Sequence, residues 1–115
     1  MKKQHKVYVY GTLMTGDGRP KVRVPGVIYD VSWFPGAKLS EPTQDGPTFL
    51  AEVIEVDELR LAELDRYEGY WEGDPIGSLY LRKPYLDGWI YEYNRTPPAD
   101  RMIVSGDWAA HTGGK

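Results

Sequence analysis

The sequence predicts a mainly β, α+β fold, with a largely antiparallel sheet, closed or nearly so, and a short helix over one opening. Three observations lead there. Gly and Pro number 13 and 9 and cut the chain into short segments, which suits strands and turns better than a helical bundle. At least five segments are patterned as strands, and only residues 57–69 read convincingly as a helix. The length, 115 residues, supplies one modest core and so a single domain over 1–115, ordered over about 5–108.

The first strand is 6–10, where Val7 and Val9 alternate with Tyr8 and Tyr10, so one face is aliphatic and the other aromatic. It runs into Gly11-Thr12-Leu13-Met14 and then a loop as far as Pro25. Residues 26–31 read as a second strand. Residues 33–47 form a Pro- and Gly-containing excursion, with Phe34-Pro35-Gly36 as a turn. Residues 49–56 are a strand, 69–77 a loop, and 79–83 and 88–93 two more strands, separated by Pro84 and Asp87-Gly88. Residues 101–108 add a last extended piece, and 111–115 an unstructured tail.

The helix carries its own punctuation. Asp57 is suited to the N-cap, Glu58 to the first turn and Gly69 to the left-handed position that ends a helix. At about 100° per residue, Leu61 lies roughly 20° and Leu64 roughly 40° from Glu68 around the axis, while Glu63 and Arg66 point away. Glu68 therefore shares the core-facing stripe. A carboxylate there is costly unless it has a partner or a role. Burial and the negative end of the helix dipole both raise its pKa, as a general acid/base near neutral pH requires. The competing readings are an ion pair with Arg82 and a carboxylate that reaches out to water. Asp65, about 60° away, reads as a structural partner for the following loop.

Composition narrows the chemistry. The absence of cysteine excludes disulfides, thiol nucleophiles and thiolate metal sites. Two histidines, one near each end, argue against a histidine triad or a multi-histidine metal centre. A formal net charge of −3 gives no reason to expect nucleic acid as a partner. No apolar run suits a membrane span or a signal peptide, so a cytoplasmic setting is the default.

A strand ending in Tyr10-Gly11-Thr12-Leu13 places a glycine at a sharp turn, where successive backbone N–H groups can cradle an anion. Alone this is a weak signal. It is joined in order by Gly26-Val27-Ile28-Tyr29-Asp30, Phe34-Pro35-Gly36, Leu64-Asp65-Arg66-Tyr67-Glu68-Gly69-Tyr70, Tyr80-Leu81-Arg82, Trp89-Ile90-Tyr91-Glu92-Tyr93-Asn94 and Ser105-Gly106-Asp107-Trp108. Over nearly its whole length the chain resembles the γ-glutamylcyclotransferase-like family, which includes AIG2-like proteins and γ-glutamylamine cyclotransferase.

The resemblance implies a small mixed or antiparallel β-barrel with one or two flanking short helices and one cavity. It implies release of 5-oxoproline and a free amine from a γ-glutamyl compound, with Glu68 as catalytic acid/base and no metal or organic cofactor. Tyr10, Gly11, Thr12 and Leu13 would bind the substrate's α-carboxylate or carbonyl. Tyr80 and Tyr91 stand as further substrate-binding candidates, beside the reading that they line the core. Trp33 and Trp71 are read as packing, with capping of a cavity as the alternative. The segment 14–25 is shorter than in many members, which leaves room for a partner subunit to rebuild a pocket wall, and hence for a homo-oligomer. A non-catalytic small-molecule binder on the same fold is the alternative.

Overall fold

The computed structural model describes residues 3–11, 13–14 and 18–112. Six strands, β1 Gln4–Val9, β2 Lys21–Asp30, β3 Pro35–Leu39, β4 Thr48–Asp57, β5 Tyr80–Tyr85 and β6 Gly88–Tyr93, form one sheet in the order β3-β2-β4-β1-β6-β5. The β1–β6 pair is parallel, in register at Val7↔Trp89, and every other pair is antiparallel. Helix α1, Glu58–Glu68, follows β4 directly, and a four-residue helix α2, Trp108–His111, lies near the end of the described chain. The fold is therefore mainly β with two short helices.

The sheet curls into a half-barrel because its longest strands change partners part-way. Residues 21–25 of β2 pair with β4, whereas residues 26–30 pair with β3. The switch falls at Pro25-Gly26. A Cβ on Gly26 would stand 2.4 Å from the Lys38 carbonyl oxygen, and its φ of 147° lies outside the usual range for other residues. This dipeptide reads in sequence as the junction between a loop and a strand, but it is a bend inside a ten-residue strand.

Side chains tie β3 to the far side of the curl. Lys38 Nζ donates to the Tyr93 carbonyl at 2.8 Å, and the Leu39 N–H donates to Glu92 Oε2 at 2.7 Å. The Tyr80 hydroxyl donates to the Pro35 carbonyl.

Both faces of the sheet are covered. Tyr8, Tyr10, Val24, Ile28, Phe49 and Ile90 pack inside the curl, closed off by Ile103 and Trp108. Val7, Val9, Val56, Tyr91 and Tyr93 pack on the other face with Leu61 and Leu64 of α1. The alternation seen in 6–10 thus separates two cores. Tyr8 and Tyr10 do not share a face with Tyr91 and Tyr93.

α1 starts and stops where its sequence indicates. Asp57 has an extended backbone and accepts the Arg60 N–H at 2.8 Å, and Gly69 adopts φ 71°, ψ 36°. Other elements depart from expectation. Phe34-Pro35-Gly36 is not a turn, since Pro35 opens β3 and the reversal precedes it, closed by the Val31 N–H on the Phe34 carbonyl at 3.0 Å. β5 runs through Pro84, which an edge strand tolerates because no ladder needs its missing N–H. The segment 101–108 is a 3₁₀ turn at Ala99–Arg101, a single bridge Tyr29↔Met102 and the start of α2, not a strand. The end of the expected tail, 113–115, lies outside the described residues.

Candidate active site

Four pieces of chain meet around a cavity of about 380 Å³. The end of β1 and the turn after it contribute Tyr8 to Gly11 and Leu13, and the β2–β3 reversal contributes Trp33 to Pro35. The end of α1 contributes Tyr67 and Glu68, and the β5–β6 hairpin with the residue before it contributes Leu79, Tyr80 and Tyr91. The size suits a small metabolite. Of the predicted site residues, Glu68, Tyr10, Gly11, Leu13, Tyr80 and Tyr91 all line this cavity. Thr12 lies outside the described residues.

Gly11 is where the Tyr10-Gly11-Thr12-Leu13 segment touches the Phe34-Pro35-Gly36 segment. A Cβ there would stand 2.7 Å from Pro35 Cγ, so the turn after β1 can lie on the proline only because it has no side chain. The Met14 N–H closes this turn on the Gly11 carbonyl at 2.9 Å.

Glu68 is half-buried at the C-terminal end of α1. Among the described residues no hydrogen-bond donor or cation meets its carboxylate. Loss of hydration pushes its pKa up to about 7. Its charge in turn adds to the upward shifts of Tyr10, Tyr80 and Tyr91, which arise first from burial.

Those three phenols are engaged elsewhere. Tyr10 donates to the Tyr91 carbonyl at 2.5 Å, Tyr80 to the Pro35 carbonyl, and Tyr91 to Asp65 Oδ1 at 2.6 Å. A hydroxyl whose proton is committed still has a lone pair to offer. The walls around Glu68 are therefore rich in acceptors, which suits an ammonium group.

Arg82 is not the partner of Glu68. Its Nε stands 3.2 Å from Asp65 Oδ1 as an ion pair without hydrogen-bond alignment, and its guanidinium lies over the rings of Trp89 at 4.4 Å and Tyr70 at 5.6 Å. Asp65 is a structural partner as expected, but of Tyr91 and Arg82 across the sheet rather than of the following loop. The expectation that Trp33 and Trp71 are packed is overturned, because they are 93% and 49% exposed and only Trp33 reaches the cavity. Pro35, Tyr67 and Leu79 were not foreseen as lining. Their places depend on how β3 and β5 cross the end of α1, which no local pattern encodes. Among the described residues no three His, Asp or Glu side chains converge as a metal site would need.

The family described as Gamma-glutamyl cyclotransferase, AIG2-like matches residues 7–110. The chain belongs to that family. A Vibrio cholerae relative, provisionally named a gamma-glutamylcyclotransferase, is 31% identical over 120 residues, covering 91% of this chain and 96% of its own. A gamma-glutamylcyclotransferase family protein of Citrobacter rodentium is 27% identical over 114 residues, covering 90% and 94%. The fold of the family is also that of an uncharacterized protein from Pyrococcus horikoshii, whose crystal structure matches with a TM-score of 0.69 at 20% identity over 94% of this chain and 92% of that one.

Proposed function

We propose that this protein is a γ-glutamylcyclotransferase-like enzyme that releases 5-oxoproline and a free amine from a γ-glutamyl compound. The observation that carries the reading is a half-buried carboxyl with a pKa near 7 in the same cavity as the turn after β1. The substrate brings both reacting groups, since its α-amine attacks its own γ-carbonyl to close a five-membered ring. Holding the reactive conformer supplies several kcal/mol toward the barrier. The proton transfers remain. Ionised Glu68 takes a proton from the α-ammonium, and the acid so formed gives it to the departing amine nitrogen as the C–N bond breaks. The regenerated carboxylate takes the second proton from the ring nitrogen, leaving the neutral lactam, and passes it to the released amine. Such catalysis is typically worth about 10²- to 10⁴-fold.

The acceptor-rich walls support placing the ammonium beside Glu68, Tyr80 and Tyr91. The α-carboxylate and the developing oxyanion then fall to the backbone N–H groups of Gly11, Thr12 and Leu13, as donors in a turn can provide. None of these steps calls on a cofactor, and nothing in the composition points to nucleic acid or membrane as a partner.

The test is a panel of γ-glutamyl compounds assayed for 5-oxoproline by mass spectrometry, with wild type beside Glu68→Gln. Turnover by wild type and its loss in the variant is the expected result. Undiminished turnover by the variant defeats the assignment. Ligands recovered bound but chemically unchanged point instead to a binding protein on the same fold.

A further inference from the structure

Trp33 has no part in the proposed proton transfers, and its conformation is costly. Its side chain is 93% exposed, and its φ of 67° is left-handed, which a bulky residue rarely adopts. The tight β2–β3 reversal, closed by the Val31 N–H on the Phe34 carbonyl, imposes this conformation, and residues so held cluster at ligand sites. Among the described residues no ring, cation or hydrogen-bond partner meets the indole to offset that cost.

Its position supplies a reason. Trp33 stands between the cavity that holds Glu68 and a second cavity of about 720 Å³, lined also by Asp30, Pro98, Asp100, Arg101 and Trp108. In the proposed reaction the α-amine, α-carboxylate and γ-carbonyl occupy the inner cavity. The amine substituent is the one part of the substrate that extends to the rim, toward Trp33.

Charge selects among such substituents. Among the described lining residues of the inner cavity, Glu68 is the only Asp, Glu, Lys, Arg or His. Among the described lining residues of the outer cavity the one Lys, Arg or His, Arg101, is taken up by Asp30, with Nη2 3.5 Å from Oδ2 and Nε donating to the Asp30 carbonyl at 3.2 Å. His111 Nε2, just outside the lining, also stands 2.9 Å from Asp30 Oδ2, and Asp100 adds a second carboxylate. A leaving amino acid would set its carboxylate against this surface without a counter-ion, which desolvation and repulsion penalise.

Resting on the function proposed above, we infer that Trp33 is the specificity residue for the leaving group and selects an amine that bears an aromatic ring and no carboxylate. The indole lies against that ring, and strain at Trp33 is what holds it there.

Three matched compounds test this: γ-glutamylethylamide, γ-glutamyl-2-phenylethylamide and γ-glutamylphenylalanine, the last two differing by one carboxylate. The phenylethylamide should exceed each of the others in kcat/KM by about ten-fold or more, mainly through KM. Trp33→Gly should bring the ratio of phenylethylamide to ethylamide close to one. Because glycine accepts a left-handed φ, the same variant should melt no lower than wild type. A preference that survives the substitution, a preference for the phenylalanine compound, or a lowered Tm overturns the inference. Calorimetric binding of the three compounds to Glu68→Gln reads the same ranking without turnover. A retained ranking there with no 5-oxoproline from wild type defeats the proposed reaction but not the aromatic subsite, and an absent ranking defeats the subsite.

Discussion

The Tyr91 hydroxyl donates to Asp65 Oδ1 at 2.6 Å, one helical turn before Glu68. This bond joins β6 to α1 directly beneath the cavity, and Arg82 reinforces it from β5. The orientation of the end of α1, and so of Glu68, depends on that junction.

Breaking it should cost stability and position together. Asp65→Asn removes the charge that Arg82 faces and should destabilise by about 1–3 kcal/mol, and Tyr91→Phe by about 1 kcal/mol. The double variant should lose less than the sum, because both act on one contact. Urea unfolding of the four proteins measures this, and strict additivity would count against a shared junction.

Glu68 should make stability depend on pH. Its folded pKa, about 7, lies above the ordinary 4.5, so the native state holds its proton more tightly than the unfolded chain does. Stability from this group is present below about pH 4.5 and is lost as pH rises through about 7. Glu68→Gln, which cannot ionise, should therefore be more stable than wild type at pH 8, by about 3 kcal/mol, and nearly equal at pH 4.5. Denaturant midpoints at the two pH values decide it.

The same titration should appear in the rate. A base that must be ionised to accept the α-ammonium proton gives kcat/KM a rising limb centred near pH 7. A pH profile lacking that limb in wild type would separate Glu68 from proton transfer.

Gly11→Ala should be disruptive where Gly73→Ala is neutral. The first places a Cβ 2.7 Å from Pro35 Cγ, whereas the second meets nothing within 4 Å. Overpacking of this kind costs about 1–3 kcal/mol, and displacement of the turn after β1 should raise KM. Thermal melts and Michaelis constants for the pair provide the measurement.

The closure of the curl should rest on Glu92. Its carboxylate accepts the Leu39 N–H at 2.7 Å and pairs with Lys83. Glu92→Ala leaves that N–H without its partner, so we expect a loss of about 1–3 kcal/mol and faster hydrogen exchange at Leu39. Unchanged protection at Leu39 would place the closure elsewhere.

Features written within one turn or one strand were legible from residues alone. Asp57, Leu61, Leu64 and Gly69 define α1, and the spacing of the leucines puts Glu68 on its inner face, because capping and 3.6-residue periodicity are local physics. Residues 88–93 are patterned as a strand and fold as β6. Tyr-Gly-Thr-Leu and the segment ending in Glu68 and Gly69 also marked the family.

What tertiary structure alone decided concerns partners across the sheet. Pro25-Gly26 bends within β2 rather than opening it, because that strand changes neighbours there. Pro35 begins a strand and touches Gly11, Arg82 pairs with Asp65 rather than Glu68, and Trp33 stands in the open at the cavity mouth. Each of these follows from which distant segments the curl brings together. Periodicity tells a residue which way to face; only closure of the sheet determines what it faces.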